Sequence, residues 1–143
     1  MAKKRNNKKI PPSSVKCLLW SSETGQALVL WKPNGKDQLS PDLPGGSPEG
    51  REKVRATLAR EALEETGIAL GDTIFPCRER EGRVLFVGQV ALNGLQLRLS
   101  EEHHGAMLVP LGQVSDLFKK SPWHTLVVAA VEDIMKNRIP MAA

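Results

Sequence analysis

A chain of 143 residues with 41% hydrophobic and 25% charged side chains has the size and make-up of one globular domain, long enough for a real core but too short for two. The formal charge is +4, yet residues 1–16 carry six cations, Lys3, Lys4, Arg5, Lys8, Lys9 and Lys16, and no acid, so the remainder of the chain stands at −2. No apolar run is long enough to span a bilayer and the N-terminus lacks the apolar stretch of a secretion signal, which argues against a membrane role and for a soluble, cytoplasmic protein.

In chain order, residues 1–14 read as a basic, flexible tail with Pro11-Pro12 and no aromatic side chain on which a base would stack. The tail is expected to be a solubilising terminus, with attachment to RNA, DNA or an acidic surface as the alternative, and residues 15–143 are the domain. Residues 15–20 and 26–31 predict two strands joined by the polar turn Ser22-Glu23-Thr24-Gly25. Residues 32–36 break the pattern. Leu43-Pro44-Gly45-Gly46 then reads as a tight loop whose glycines allow close backbone approach. Residues 51–66 predict a helix, with Val54, Leu58, Ala62 and Ala56, Ala59, Leu63 at the spacing of a buried stripe and Gly67 as a left-handed cap. Residues 73–78 and 84–92 are strand candidates, and Asn93-Gly94 predicts a two-residue hairpin into a strand over 95–99. A last short strand is expected over 107–110. Ser121 as N-cap and Pro122 at the first position open a helix whose stripe is Leu126, Val127, Ala130, Val131 and Ile134. Cys17 and Cys77 show no metal-type spacing and read as reduced, buried thiols.

The chemistry concentrates on the first helix. Glu61 and Glu65 are four residues apart and Glu64 is three beyond Glu61, so these carboxylates project close together near the helix C-terminus, with Arg60 four residues before Glu64. Like charges at this spacing repel, and acids at a helix C-terminus oppose its dipole. A solvated charged face is the plain reading of such a run. With the glycine loop before it and Gly67 behind it, the cluster instead suits a hard divalent cation, Mg²⁺ or Mn²⁺, which takes carboxylates, waters and phosphates as ligands.

Gly46, five residues, Glu52, seven residues, then Arg60-Glu61-Ala62-Leu63-Glu64-Glu65-Thr66-Gly67-Ile68 resembles the complete signature box of the Nudix hydrolases of the MutT type. Asp42-Leu43-Pro44-Gly45-Gly46 is similar to the family's approach to that box, with Pro41 where many members carry tryptophan. The resemblance implies an α/β fold, an α/β/α sandwich with a mixed sheet between helices. It also implies metal-dependent cleavage of a pyrophosphate bond in a nucleoside diphosphate derivative. By the same resemblance Glu61 is the general base or a shared metal ligand, Glu64 and Glu65 are metal ligands, and Gly45 offers a carbonyl to the metal. Arg60 orients the acids, and Glu52 is either a supporting acid or a carboxylate placed for the helix dipole.

Outside the box, Ser100-Glu101-Glu102-His103-His104-Gly105 looks like a loop over the site, with Glu102 as a further metal ligand or an alternative base, or else an exposed polar turn. His103 and His104 lack a third ligand at a spacing that would specify zinc. Trp31, Phe86, Trp123 and His124 are the candidates for base recognition, and with so few aromatic residues they are assigned to the core. The chain has no tyrosine, and Pro76 lies only nine residues past Gly67, so it carries neither of the markers that resemble the ADP-ribose and dinucleoside polyphosphate subgroups. A nucleoside triphosphate, split to monophosphate and pyrophosphate, is the expected small-molecule substrate. An RNA 5′-end pyrophosphohydrolase and a non-catalytic nucleotide sensor are the alternatives.

Overall fold

The computed structural model describes residues 13–71, 74–92, 94 and 96–137. The expected tail over 1–14 therefore lies almost wholly outside the described residues. The strands are β1 (Ser14–Ser21), β2 (Gln26–Pro33), β3 (Leu39–Asp42), β4 (Gly45–Gly46), β5 (Ile74–Arg80), β6 (Arg83–Gln89) and β7 (Gly105–Pro110), and the helices are α1 (Val54–Thr66), α2 (Leu111–Leu117) and α3 (His124–Met135). The sheet runs β3-β2-β1-β6-β5, with β4 also paired to β1 and β7 to β2. The β1–β6 pair is parallel and the others are antiparallel, so the sheet is mixed.

Both faces of β1 are covered, which explains why it reads as a nearly unbroken apolar run. Val15, Cys17 and Leu19 pack with Leu58 and Ile68 on the α1 side. Leu18 and Trp20 pack with Phe118, Trp123, Leu126 and Ala130 on the α2 and α3 side. The product is the α/β/α sandwich expected from the sequence. Cys17 is fully buried, and burial pushes its thiol well above the usual range; Cys77 is only half-buried and meets Asp133 at 3.3 Å.

Several local expectations are corrected. Helix α1 begins at Val54 rather than Arg51, because Gly50 (φ +58°) and a Glu52 N–H to Glu49 O bond of 2.9 Å form a turn just before it. Ala56 and Leu63 are exposed, and Thr57, Glu65 and Thr66 take their places beside Leu58 and Ala62 on the buried face. The Gly45-Gly46 loop is a short strand on β1. The two-residue hairpin falls at Glu81-Gly82, where φ of +50° and +82° suit a type I′ turn between β5 and β6. Asn93 and Leu95 lie outside the described residues, as does Thr73, and residues 96–99 form no strand. Instead Arg98 and Ser100 donate their backbone N–H to Thr66 O and Glu65 O, at 2.9 and 3.3 Å, satisfying carbonyls that the last turn of a helix leaves free. Helix α2, too short to show a periodic pattern, had no sequence signal. Ser121 closes a turn ahead of α3 by accepting the Trp123 N–H at 3.0 Å, so the helix opens at His124.

Leu58 is fully buried and is the largest apolar side chain that α1 buries against the sheet. Leu58→Ala should cost about 2–5 kcal/mol of stability, as core truncations of this kind do. Urea denaturation checks this, and a loss under about 0.5 kcal/mol would mean that α1 is held by other contacts.

Candidate active site

The site begins where β4 lies against β1. Cys17 N–H donates to Pro44 O at 2.9 Å, so the next pair, Lys16 and Gly45, sits at a position where the ladder makes no hydrogen bond. The amide edge of Gly45 therefore faces α1, and its N–H donates to Glu65 Oε1 at 3.0 Å. Only glycine fits here. At φ +152° an added Cβ would run into the Val15 carbonyl oxygen and the Lys16 backbone. One residue on, a Cβ at Gly46 would fall on the Glu61 carboxylate. The two glycines are thus a platform on which two acids of one helix face rest.

Burial raises the proton affinity of both acids. Glu65 is 3% exposed, and loss of solvent raises its carboxyl to about 7, opposed by the Gly45 N–H, Lys16 and His103 and reinforced by Glu102. Glu61 is also raised, first by burial, then against the pull of Arg60 and with the push of Glu64 and Glu102. Arg60 is the local counter-charge. Its Nε and Nη2 donate to the two oxygens of Glu52 at 2.9 and 3.0 Å, a bidentate pair. Its Nη1 lies 3.3 Å from Glu64 and 3.4 Å from Glu61. Glu52 stands outside the helix and folds back onto it, accepting also the Thr57 hydroxyl at 2.8 Å and the Glu49 N–H at 3.1 Å. The Arg60 bond, then those two, lower its carboxyl to about 2. Glu52 is therefore a supporting acid for Arg60.

Glu102 reaches the same place from the loop before β7. One carboxylate oxygen each of Glu65 and Glu102 and one ring nitrogen of His103 lie within 4.8 Å of one another. Glu61 and Glu64 are outside this tight group, Glu64 being exposed and turned towards Arg60. His103 is not part of an exposed turn: it is 4% exposed, and its Nε2 meets Asp42 Oδ2 at 2.8 Å. His104 is exposed.

Two charged residues had gone unassigned. Lys16 Nζ lies 2.8 Å from Asp42 Oδ1 and donates to Leu43 O at 3.2 Å. Burial alone would raise Asp42, but the His103 bond and then Lys16 and Lys32 hold it well below the usual carboxylate range. The available signal was a lysine inside an otherwise apolar strand, which needs a partner when buried. Beside this pair is a cavity of about 300 Å³ lined by Lys16, Lys32, Asn34, Asp42, Lys120 and Trp123, among others. Trp123 packs in the core and also walls this cavity, with Lys16 Nζ 5.8 Å from its ring centroid. Phe86 is buried under the Arg55 guanidinium, while Trp31 and His124 are half-buried.

The chain matches the family model described as the NUDIX domain over residues 11–131. It therefore belongs to the Nudix family and is a pyrophosphohydrolase of nucleotide derivatives. No curated protein matches the sequence. Among solved structures, the MutT protein of Methanosarcina mazei Go1 is 25% identical over 79% of this chain and 95% of its own, with a TM-score of 0.55. The dihydroneopterin triphosphate pyrophosphohydrolase of E. coli is 17% identical over 83% of this chain and 95% of its own, with a TM-score of 0.66. An Ap4A hydrolase of C. elegans is 15% identical over 86% of this chain and 97% of its own, at 0.63. Among the described residues, no helix is long and apolar enough to cross a membrane.

The raised Glu65 carboxyl fixes a sign. Between its ordinary value of 4.5 and about 7 the folded protein keeps a proton that the unfolded chain has released, so stability falls as pH rises through that window. Glu65→Gln should remove this part of the slope in metal-free protein. Denaturation midpoints in chelator at about pH 5 and about pH 7.5 measure it, and identical slopes in the two proteins would contradict the desolvated site.

Proposed function

We propose that the protein hydrolyses a nucleoside or deoxynucleoside triphosphate to the monophosphate and pyrophosphate, in the cytoplasm, with Mg²⁺ or Mn²⁺ as cofactor. The observation that carries this reading is the seating of Glu61 and Glu65 on the Gly45-Gly46 strand. That arrangement desolvates two carboxylates and leaves their charge for a cation to offset. The donors suit a hard ion: the Gly45 carbonyl, Glu61, Glu64, Glu65 and Glu102 are all oxygen ligands. When bound, the cation neutralises nonbridging phosphate oxygens and acidifies a water.

The chain's own residues do the rest. Arg60, fixed by Glu52, keeps Glu61 and Glu64 in place through its free nitrogen. Glu61, with its raised proton affinity, takes the proton of the attacking water as the new P–O bond forms and the bridging P–O bond to pyrophosphate breaks. The cavity beside Asp42, about 300 Å³ with Trp123 and Asn34 on its wall, supports a compact nucleoside at this end of the sheet. The MutT protein and the triphosphate pyrophosphohydrolase among the structural neighbours are consistent with such a substrate.

The test is a panel of nucleoside triphosphates, dinucleoside polyphosphates and 5′-triphosphate RNA with Mg²⁺ or Mn²⁺, read by product identity. Monophosphate plus pyrophosphate from the free triphosphate is expected, and orthophosphate as the first product would overturn the reading. Glu64→Gln and Glu65→Gln should each lower turnover about a hundredfold or more, the scale of lost electrostatic groups. Rates within about threefold of the parent at saturating metal would return these acids to surface charge. Arg60→Lys should also be damaging, since a point donor replaces a planar fork; an unchanged rate would remove Arg60 from the mechanism.

A further inference from the structure

We infer that His103 Nδ1 joins the carboxylates of Glu65 and Glu102 in a mixed nitrogen and oxygen site that takes a first-row transition ion, Mn²⁺ in preference to Mg²⁺. The inference rests on the metal-dependent reading above and adds to it a ligand of different chemistry. Two independent observations carry it. One is the grouping itself, with a donor atom from each of the three residues inside 4.8 Å. The other is that His103 Nδ1, on a side chain with no solvent exposure, has no hydrogen-bond partner among the described residues. Buried polar atoms without partners are uncommon, because each forgoes its hydration with nothing in return.

The neighbouring contacts fix which nitrogen is left to serve. Asp42 accepts Lys16 Nζ on Oδ1 at 2.8 Å, and its Oδ2 lies 2.8 Å from His103 Nε2. A carboxylate so paired has no proton to give, so Nε2–H is the donor, and in the tautomer that makes this bond the lone pair is on Nδ1. A carboxylate behind the far nitrogen of a histidine is the arrangement that orients metal-binding imidazoles and makes them more basic. Ligands about 2.1 Å from one ion lie closer together than 4.8 Å, and the exposed Glu102 side chain can supply the adjustment. An imidazole favours first-row transition ions, whereas Mg²⁺ prefers oxygen throughout. His103 thus makes the site selective as well as anionic.

Pulsed electron paramagnetic resonance of the Mn²⁺-loaded full chain reads this without turnover. Directly bound imidazole modulates the electron spin echo through its ¹⁴N nucleus, and labelling the histidines with ¹⁵N replaces that pattern. The modulation should persist in His104→Ala and His124→Ala and vanish in His103→Gln. Mn²⁺ affinity of His103→Gln should fall at least about tenfold, with Mg²⁺ affinity changed less than about threefold. If His103→Gln does not fold, retention of the signal in the other two variants assigns it to the third histidine. Mn²⁺ bound with no nitrogen modulation in the parent protein overturns the proposal and leaves the oxygen-ligand enzyme reading intact. Failure to bind any divalent ion overturns both.

Discussion

The contact between α1 and the Gly45-Gly46 strand sets the geometry of the whole site. A helix carrying Glu61 and Glu65 on its inner face would ordinarily turn those acids to water. Here a two-residue strand without side chains lets the helix come close enough for Glu65 to accept a backbone N–H and for Glu61 to lie on the next residue. Because the same strand is paired to β1, the position of the acids is tied to the centre of the sheet, and a shift of either element would disturb both.

Charge is then handled in two separate arrangements. On the outer side, Arg60 is locked to Glu52 and touches Glu61 and Glu64, so one guanidinium serves several acids from a fixed direction. On the inner side, Asp42 binds Lys16 and His103 at once, and Lys16 also borders the cavity. Glu65 lies between them, and burial, which the Gly45 N–H, Lys16 and His103 only partly offset, pushes its carboxyl up. On the proposed reading, a bound cation would supply that counter-charge.

The sandwich, most strands and the acids of α1 were legible because they depend on local rules: both faces of β1 are apolar, Gly67 takes the left-handed cap with φ +81°, and the carboxylates follow helical spacing. What escaped depends on contacts distant in the chain. Asp42 and His103 are separated by 61 positions, so neither advertises the other. The Asn93-Gly94 signal is a local one, and the segment after it was claimed instead by the open carbonyls of Thr66 and Glu65. Ala56 and Leu63 fit an apolar stripe by period alone, but the face turned to the sheet is the one that Glu65 occupies.

The claim that this face is built for a cation is tested most directly by melting curves of metal-free protein with and without millimolar Mg²⁺ or Mn²⁺. A ligand bound only by the folded form adds about 2.7 kcal/mol at a hundred times its dissociation constant, a rise of several degrees for a domain of this size. The account predicts that rise for the parent protein and a much smaller one for Glu65→Gln, whose metal-free form should melt no lower than the parent because a desolvated charge has been removed. A parent melting curve unmoved by either ion would contradict it.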